Sequence, residues 1–353
     1  MILTALLLTA TAFATESIPS PAPVTAHEWG TFTSIADRDG NPVRWFALGG
    51  PSKLPCFVHT FRSKNMYSFV RMETPVIYFY TPRKTTVSVS VSFAKGMLTE
   101  WYPAAHDEGS SLTWHNVQVL PGEKLAFPSG GGNHYYTARN TDAAPLRIGS
   151  EQEKMIFYRG VGDLDVPIRP RFIAEGRIEL RTTTSQPIST AILFENRAGK
   201  VGYRTLHALH GITTVAPPEL NANADAVHAQ LTADLVQTGL YPKEADAMIE
   251  TWRDSWFEPG LRVIYIVPRT VVDAVLPLTI TPAASEVARV FVGRVEMVSP
   301  AMIEEIELGV KHEDRAVLAK YGRFLEGFWE GLHGYTSKLP AGLVAQSAGG
   351  CTN

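Results

Sequence analysis

The sequence has few cysteines, and this scarcity limits what could hold the fold together. Only two occur in 353 residues, Cys56 and Cys351, which excludes a disulfide-rich scaffold and a zinc site built from four cysteines. In an oxidising compartment the two could pair and tie the carboxy-terminal tail to the first domain. A Cys56–Cys351 disulfide and two free thiols therefore remain as alternatives.

The sequence also lacks an excess of charge and a long apolar run after its start. A net charge of −3 and a pI near 6.4 give no electrostatic footprint for nucleic acid or for an anionic membrane. No segment after the first residues is apolar for 18 residues, so no membrane span is predicted. No motif in the sequence requires a cofactor.

The amino-terminal segment is short and apolar. Residues 2–14, ILTALLLTATAFA, end in Ala12-Phe13-Ala14, the small-x-small pattern that a signal peptidase cleaves. They predict a signal peptide over residues 1–14 and an exported protein, periplasmic or extracellular, although the usual basic residues at its start are missing. A second such pattern, Val24-Thr25-Ala26, would extend the signal peptide to residue 26 and make His27 the amino terminus. The amine and ring of His27 could then bind copper.

Period-two alternation indicates a mainly-β chain. In TTVSVSVSF, residues 85–93, valines alternate with serines, as in a strand with one face in a core and the other in water. PVIYFY, residues 75–80, is apolar on both faces and predicts a central strand. Further strands are predicted at 97–102, 111–120 and 133–139, and HEWGTFTSIA, residues 27–36, is predicted to be an edge strand.

The predicted fold is mainly β (α+β overall), with two β-sandwich-like units. The first unit covers residues 27–150. The second covers residues 151–335 and carries a helical-hairpin insertion at 219–257, with Pro242 in the first turn of its second helix. A helical cap follows at 299–335, with Ser299 as N-cap and Pro300 after it. Residues 336–353 form a small, Gly-rich tail.

Four segments resemble a group of uncharacterised exported bacterial proteins. They are HEWGTFTS at residues 27–34, METPVIYFY, GMLTEWYP and FYRGVG. The resemblance covers most of the mature chain. It implies a bacterial, exported protein, and it implies no activity, cofactor or catalytic residue.

One loop contains several residues whose side chains could bind a ligand or a metal ion. WYPAAHDEGS lies between two predicted strands, and loops on a rigid sandwich are where binding and catalysis concentrate. If strand 97–102 pairs with strand 111–120, the connecting loop reaches one rim of the sandwich. The predicted binding residues there are Glu100, Trp101, His106, Asp107, His115, His134 and Tyr135, of which His106, His115 and His134 are the candidate metal ligands.

A second pattern is three glutamates beside aromatic residues: Glu28 in HEWG, Glu73 in METP and Glu100 in TEWYP. A carboxylate beside flat aromatic faces suits sugars, and two carboxylates at a suitable separation suit glycoside hydrolysis. The other interpretation is that each glutamate faces water or an arginine at a strand end. Arg71, Arg159 and Arg262 lie in or beside apolar strands and are the candidate structural partners.

No catalytic constellation stands out, and the sequence leaves open whether the protein is an enzyme. The first expectation is a non-catalytic envelope or extracellular binding protein whose partner is a glycan. The alternative is a metal-assisted or two-carboxylate hydrolase acting on a polysaccharide or another envelope polymer.

Overall fold

The computed structural model of the protein describes residues 22–48, 54–61, 66–107, 109–130 and 134–340. Nineteen β-strands and six α-helices occur among these residues, so the predicted mainly-β, α+β class is confirmed. The predicted signal peptide at 1–14 lies outside the described residues, as does the tail from residue 341. No helix of the described ranges is long and apolar enough to cross a membrane.

The strands are β1 (Thr25–Ile35), β2 (Trp45–Phe46), β3 (His59–Thr60), β4 (Tyr67–Ser68), β5 (Val70–Tyr80), β6 (Thr85–Ser92), β7 (Gly96–Tyr102), β8 (Ser111–Val119), β9 (Leu146–Ile148), β10 (Glu151–Glu153), β11 (Ile156–Gly162), β12 (Ile168–Phe172), β13 (Ile178–Thr182), β14 (Ile188–Arg197), β15 (Lys200–Leu209), β16 (Ile212–Val215), β17 (Gly260–Ile266), β18 (Leu278–Thr281) and β19 (Glu286–Met297). The helices are α1 (Ala224–Gln237), α2 (Pro242–Trp256), α3 (Arg269–Val275), α4 (Pro300–Lys311), α5 (Arg315–Ala319) and α6 (Leu325–His333). Short 3₁₀ helices cover His134–Arg139, Ala174–Gly176 and Gly322–Phe324.

The largest element is a nine-stranded sheet with the order β15-β14-β17-β19-β1-β5-β11-β7-β3. β1 lies in its middle, parallel to β19 and antiparallel to β5. The prediction of an edge strand at residues 27–36 is therefore wrong. Its parallel partner β19 comes from the far end of the chain, which local sequence does not reveal. Both faces of β1 are buried.

A five-stranded sheet with the order β10-β9-β8-β6-β18 covers one face of the large sheet. The predicted alternation in β6 is confirmed, since Val87, Val89 and Val91 are buried and the serines between them are half-buried. The three valines share one apolar core with Phe32 and Phe79 of the large sheet. This packing of sheet on sheet forms the sandwich part of the fold.

The nine-stranded sheet draws strands from both predicted units. β1, β3, β5 and β7 precede residue 150, whereas β11, β14, β15, β17 and β19 follow it. β11 even lies between β5 and β7. The predicted units at 27–150 and 151–335 therefore share one sheet. β11 pairs with backbone N–H and C=O groups of β5 and β7 that would otherwise be unpaired in the buried sheet.

Helices cover the other face of the large sheet. In the predicted insertion, Pro242 is the first residue of α2, and α1 begins at Ala224, later than expected. In the predicted cap, the Ser299 hydroxyl accepts a hydrogen bond from the Met302 amide at 3.2 Å. After α4, the predicted cap is divided into α5, a 3₁₀ turn and α6, because Gly322 has a φ of +49°, which an α-helix does not allow.

Candidate functional site

A band of buried polar residues crosses the helix-covered face of the large sheet. At one end of β1, Trp29 packs in the apolar cluster formed with α1 and α2. At the other end, Ile35 packs in the cluster formed with α4 and α6. Between them, Thr31 and Thr33 point to the same face by strand alternation and are fully buried. The polar band therefore separates two apolar clusters.

Glu73 of β5 and Glu100 of β7 belong to this band, and both are buried. Each lies close enough to Arg71 and Arg159 to act on the pKa of those guanidiniums. Glu28 lies on the opposite face of the sheet, where Tyr158 and Arg289 donate hydrogen bonds to its carboxylate. Of the three glutamates predicted to share a site, the structure brings together Glu73 and Glu100.

Glu73 is held by ionic and polar contacts on both carboxylate oxygens. Arg323 donates hydrogen bonds to both oxygens, Arg71 lies 3.4 Å from Oε1, and the Thr33 hydroxyl donates to Oε2 at 2.7 Å. Burial alone would raise the pKa of Glu73, but Arg323 and Arg71 hold it well below its usual range. Glu73 is therefore ionised at neutral pH and neutralises two arginines.

Arg159 of β11 differs from these arginines because no carboxylate of the described residues forms an ion pair with it. Its guanidinium donates to the Thr74 hydroxyl at 3.2 Å from Nε and 2.9 Å from one terminal nitrogen. Arg159 is partly exposed. Burial, together with Arg71 nearby, lowers the pKa of Arg159 to about 10, so it stays charged at neutral pH. It offers free N–H donors to an anion.

The five charged residues of this group, which we call the arginine–glutamate cluster, are Arg71, Glu73, Glu100, Arg159 and Arg323. Sequence reasoning found the two glutamates from their aromatic neighbours, and it marked Arg71 and Arg159 as candidate structural partners. It missed Arg323, which joins the group from the 3₁₀ turn between α5 and α6. No local pattern around Arg323 indicates that it meets Glu73, because 250 residues separate them.

The rim site predicted around His106 rests on two secondary-structure expectations that are wrong. β7 does not pair with β8. It pairs with β11 and β3 in the large sheet, whereas β8 pairs with β6 and β9 in the small one. Residues 133–139 were expected to form a strand, but His134–Arg139 is a 3₁₀ helix. The loop after β7 therefore passes from one sheet to the other.

Within that predicted site, His106 and His115 do lie together. Backbone hydrogen bonds in both directions join His106 to Thr113, so His115 is a diagonal neighbour across this bridge. The two exposed rings have centroids 5.1 Å apart. Asp107 is exposed beside them with a φ of +61°.

The other members of the predicted site have separate partners. His134 faces α2, with Nε2 3.1 Å from a carboxylate oxygen of Asp254. The Tyr135 hydroxyl donates to Glu153 at 3.0 Å, and Trp101 packs in the sandwich core on the face opposite Glu100. In the described ranges no three His, Cys, Asp or Glu side chains are placed to share a metal ion, so the predicted ligand set His106, His115 and His134 is not assembled there.

His27, the first residue of HEWGTFTS, is a buried structural residue. Its Nδ1 lies 2.7 Å from Glu244 of α2, and the Tyr80 hydroxyl donates to the same carboxylate at 2.8 Å. The ring of Tyr241 packs on the imidazole at 4.4 Å between centroids. This network fixes the start of α2 on β1. It occupies the ring nitrogen that the copper alternative would need.

The predicted disulfide is only partly within the described residues. Cys56 is not a free thiol. Its predicted partner, Cys351, lies outside the described residues, so the Cys56–Cys351 pairing stays a prediction.

Comparison with known proteins does not assign the chain to a family. No protein-family model and no curated protein matches the sequence. The class that the fold and site define is therefore a mainly-β protein with a helix-covered sheet and a buried arginine–glutamate cluster.

Proposed function

We propose that the protein is an exported, non-catalytic binding protein for an acidic saccharide. The observation that carries this proposal is Arg159, a partly exposed arginine with no carboxylate partner among the described residues. An arginine fork matches the two oxygens of a carboxylate. The ligand's carboxylate would supply the partner that the described residues do not.

The charge balance of the cluster supports an anionic ligand. Arg71 and Arg323 both contact Glu73, while Arg159 pairs with no carboxylate of the described residues. Three arginines and two glutamates leave one positive charge in excess. In a partly desolvated site this excess favours binding an anion.

The two neighbours of Arg159 support a ligand that is rich in hydroxyl groups. Glu100 is its cross-strand partner in β7, and Thr74 is its hydrogen-bond partner from β5. A carboxylate accepts hydrogen bonds from sugar hydroxyls, and a threonine hydroxyl can accept or donate one. A ligand with a carboxylate and adjacent hydroxyls, such as a uronic acid, would use all three residues.

The two-carboxylate hydrolase is the less favoured alternative. A glycosidase needs one carboxyl group that is protonated at working pH, so its pKa must be raised. The pKa of Glu73 is lowered instead, and both of its oxygens already have partners in the protein. Glu73 is therefore suited to holding arginines in place rather than to giving up a proton.

Calorimetric titration with uronic-acid oligosaccharides tests the binding proposal, with neutral glucose oligosaccharides as the ligand control. We expect binding of the acidic series only, and a loss of about tenfold or more in Arg159→Gln, because a charged bidentate pair is removed. Arg38→Gln, a change at an exposed arginine elsewhere, should leave the affinity unchanged. Equal binding of both series, or equal affinity in Arg159→Gln, would refute the proposal.

Export is supported by the amino-terminal sequence pattern. Amino-terminal sequencing of protein recovered from the periplasm or medium of an expressing bacterium should give a chain starting at Thr15. A chain starting at His27 would contradict cleavage after Ala14, and retention in the cytoplasm at full length would contradict export.

A further inference from the structure

Two exposed histidines lie side by side on the outer face of the five-stranded sheet. His106 is joined to Thr113 of β8 by backbone hydrogen bonds in both directions, so their side chains share one face. The Thr113 hydroxyl donates to the Ser90 hydroxyl at 3.2 Å, and Ser90 lies on the side opposite the buried valines of β6. His115 follows Thr113 by two residues and points to the same side. The two imidazoles therefore meet on the solvent side of the sheet.

His115 belongs to a β-bulge. Between Val87 and Val89 of β6 the ladder to β8 shifts by one residue, so His115 and Asn116 together oppose a single residue of β6. Asn116 has a φ of +55°. Both bulge residues are exposed, whereas the residues on either side of them are buried. Bulges redirect side chains and occur often beside functional sites, and this one leaves two successive polar side chains on the outer face.

The rings of His106 and His115 have no polar partner in the described part of the chain. Each ring contacts the other, and neither forms a hydrogen bond or an ion pair with a described residue. By contrast, His27, His59 and His134 each lie within 3.1 Å of a carboxylate oxygen. The ring nitrogens of His106 and His115 are therefore available to a ligand.

The separation of the two rings suits two ligands of one metal ion. Their centroids lie 5.1 Å apart, and their planes are inclined by 48°. A metal–nitrogen bond of about 2.0–2.1 Å puts a ring centroid about 3.2 Å from the ion, so ligand angles of about 90–110° separate two centroids by about 4.5–5.2 Å. The observed separation falls within this range. Imidazole suits copper, nickel and zinc, whereas calcium and magnesium prefer oxygen ligands.

We infer that His106 and His115 together bind one late first-row divalent metal ion. Copper(II) would be held most tightly, because it has the highest affinity of these ions for nitrogen ligands. Water would fill the remaining coordination positions, since no third His, Cys, Asp or Glu of the described ranges is placed to join the pair. The site lies on the opposite side of the sandwich from the arginine–glutamate cluster, and the inference does not rest on the proposed function.

Titration of the whole protein with copper(II) chloride, followed by electron paramagnetic resonance, tests the inference. We expect an ion whose spectrum shows two imidazole nitrogens. His106→Gln and His115→Gln should each weaken its binding by about tenfold or more, because either change leaves a single imidazole and removes the advantage of a second, linked ligand. Zinc chloride should give the same pattern of variants at lower affinity.

His312→Gln is the matched control, because it removes an exposed histidine after α4, and it should bind copper as wild type does. All three changes lie at exposed positions, so the melting temperature should stay close to that of wild type. Weaker binding in only one of His106→Gln and His115→Gln would indicate a single-histidine site and refute the inference. Unchanged affinity in both variants, or no copper binding at micromolar concentration, would also refute it.

Discussion

Replacing Glu73 with glutamine should strongly destabilise the protein, because the carboxylate neutralises two arginines in the interior. The Glu73 side chain is 3% exposed, and the side chains of Arg71 and Arg323 are 11% and 19% exposed. Glutamine keeps the shape of the side chain but removes its charge. Its amide nitrogen would also point N–H groups at a guanidinium that needs acceptors.

The expected loss follows from this burial. Removing one partner of a buried ion pair costs about 3–5 kcal/mol, because the remaining charge stays buried without compensation. Here two guanidiniums are left together, and Glu100 is the remaining carboxylate of the cluster, so the loss in the free energy of unfolding should reach that range. Urea unfolding followed by tryptophan fluorescence measures it as a shift of the midpoint, provided that the slope is unchanged.

The matched control is Glu250→Gln. Glu250 also pairs with an arginine, Arg253, but both side chains are about half exposed. An exposed pair contributes about 0–1 kcal/mol, so this variant should unfold close to wild type. If Glu73→Gln loses no more stability than Glu250→Gln, the cluster does not act as a buried ionic unit and the reasoning is wrong.

Three further predictions concern pH and packing. Because the pKa of Glu73 is lowered from 4.5 in the folded state, its stabilising effect is present above pH 4.5 and lost as the pH falls towards its folded pKa. Urea midpoints should therefore drop below that pH more steeply in wild type than in Glu73→Gln, and parallel curves would contradict this. Val89→Asp buries an unpaired charge in the sandwich core and should cost several kcal/mol, whereas Ser90→Asp on the outer face should be mild. Equal melting temperatures for these two variants would show that Val89 does not face the core while Ser90 faces outward. Gly293→Ala should cost about 1–3 kcal/mol or more in urea unfolding, because its Cβ would overlap the Tyr265 ring, and a wild-type midpoint would show that the ring can move aside.

Sequence periodicity determined those elements whose signal is local. The Val–Ser alternation of β6 depends only on which face of one strand is buried. The starts of α2 and α4 depend on Pro242, Ser299 and Pro300, which act within one turn of the helix. The hairpin of β14 and β15 follows from Ala198-Gly199, both with positive φ, as a tight turn requires. Such features need no information from distant parts of the chain.

The tertiary structure alone decided which strands became neighbours and therefore which side chains met. From its sequence, β1 was predicted to be an edge strand. In the structure β19, from the far end of the chain, pairs with it in parallel. Glu100 was predicted to share a site with the loop histidines. β7 joined β11 rather than β8, which placed Glu100 opposite Arg159. Arg323 reached Glu73 only because the helical cap folds back over the sheet. Strand order and helix docking depend on the burial of whole faces, and no short segment of sequence encodes that burial.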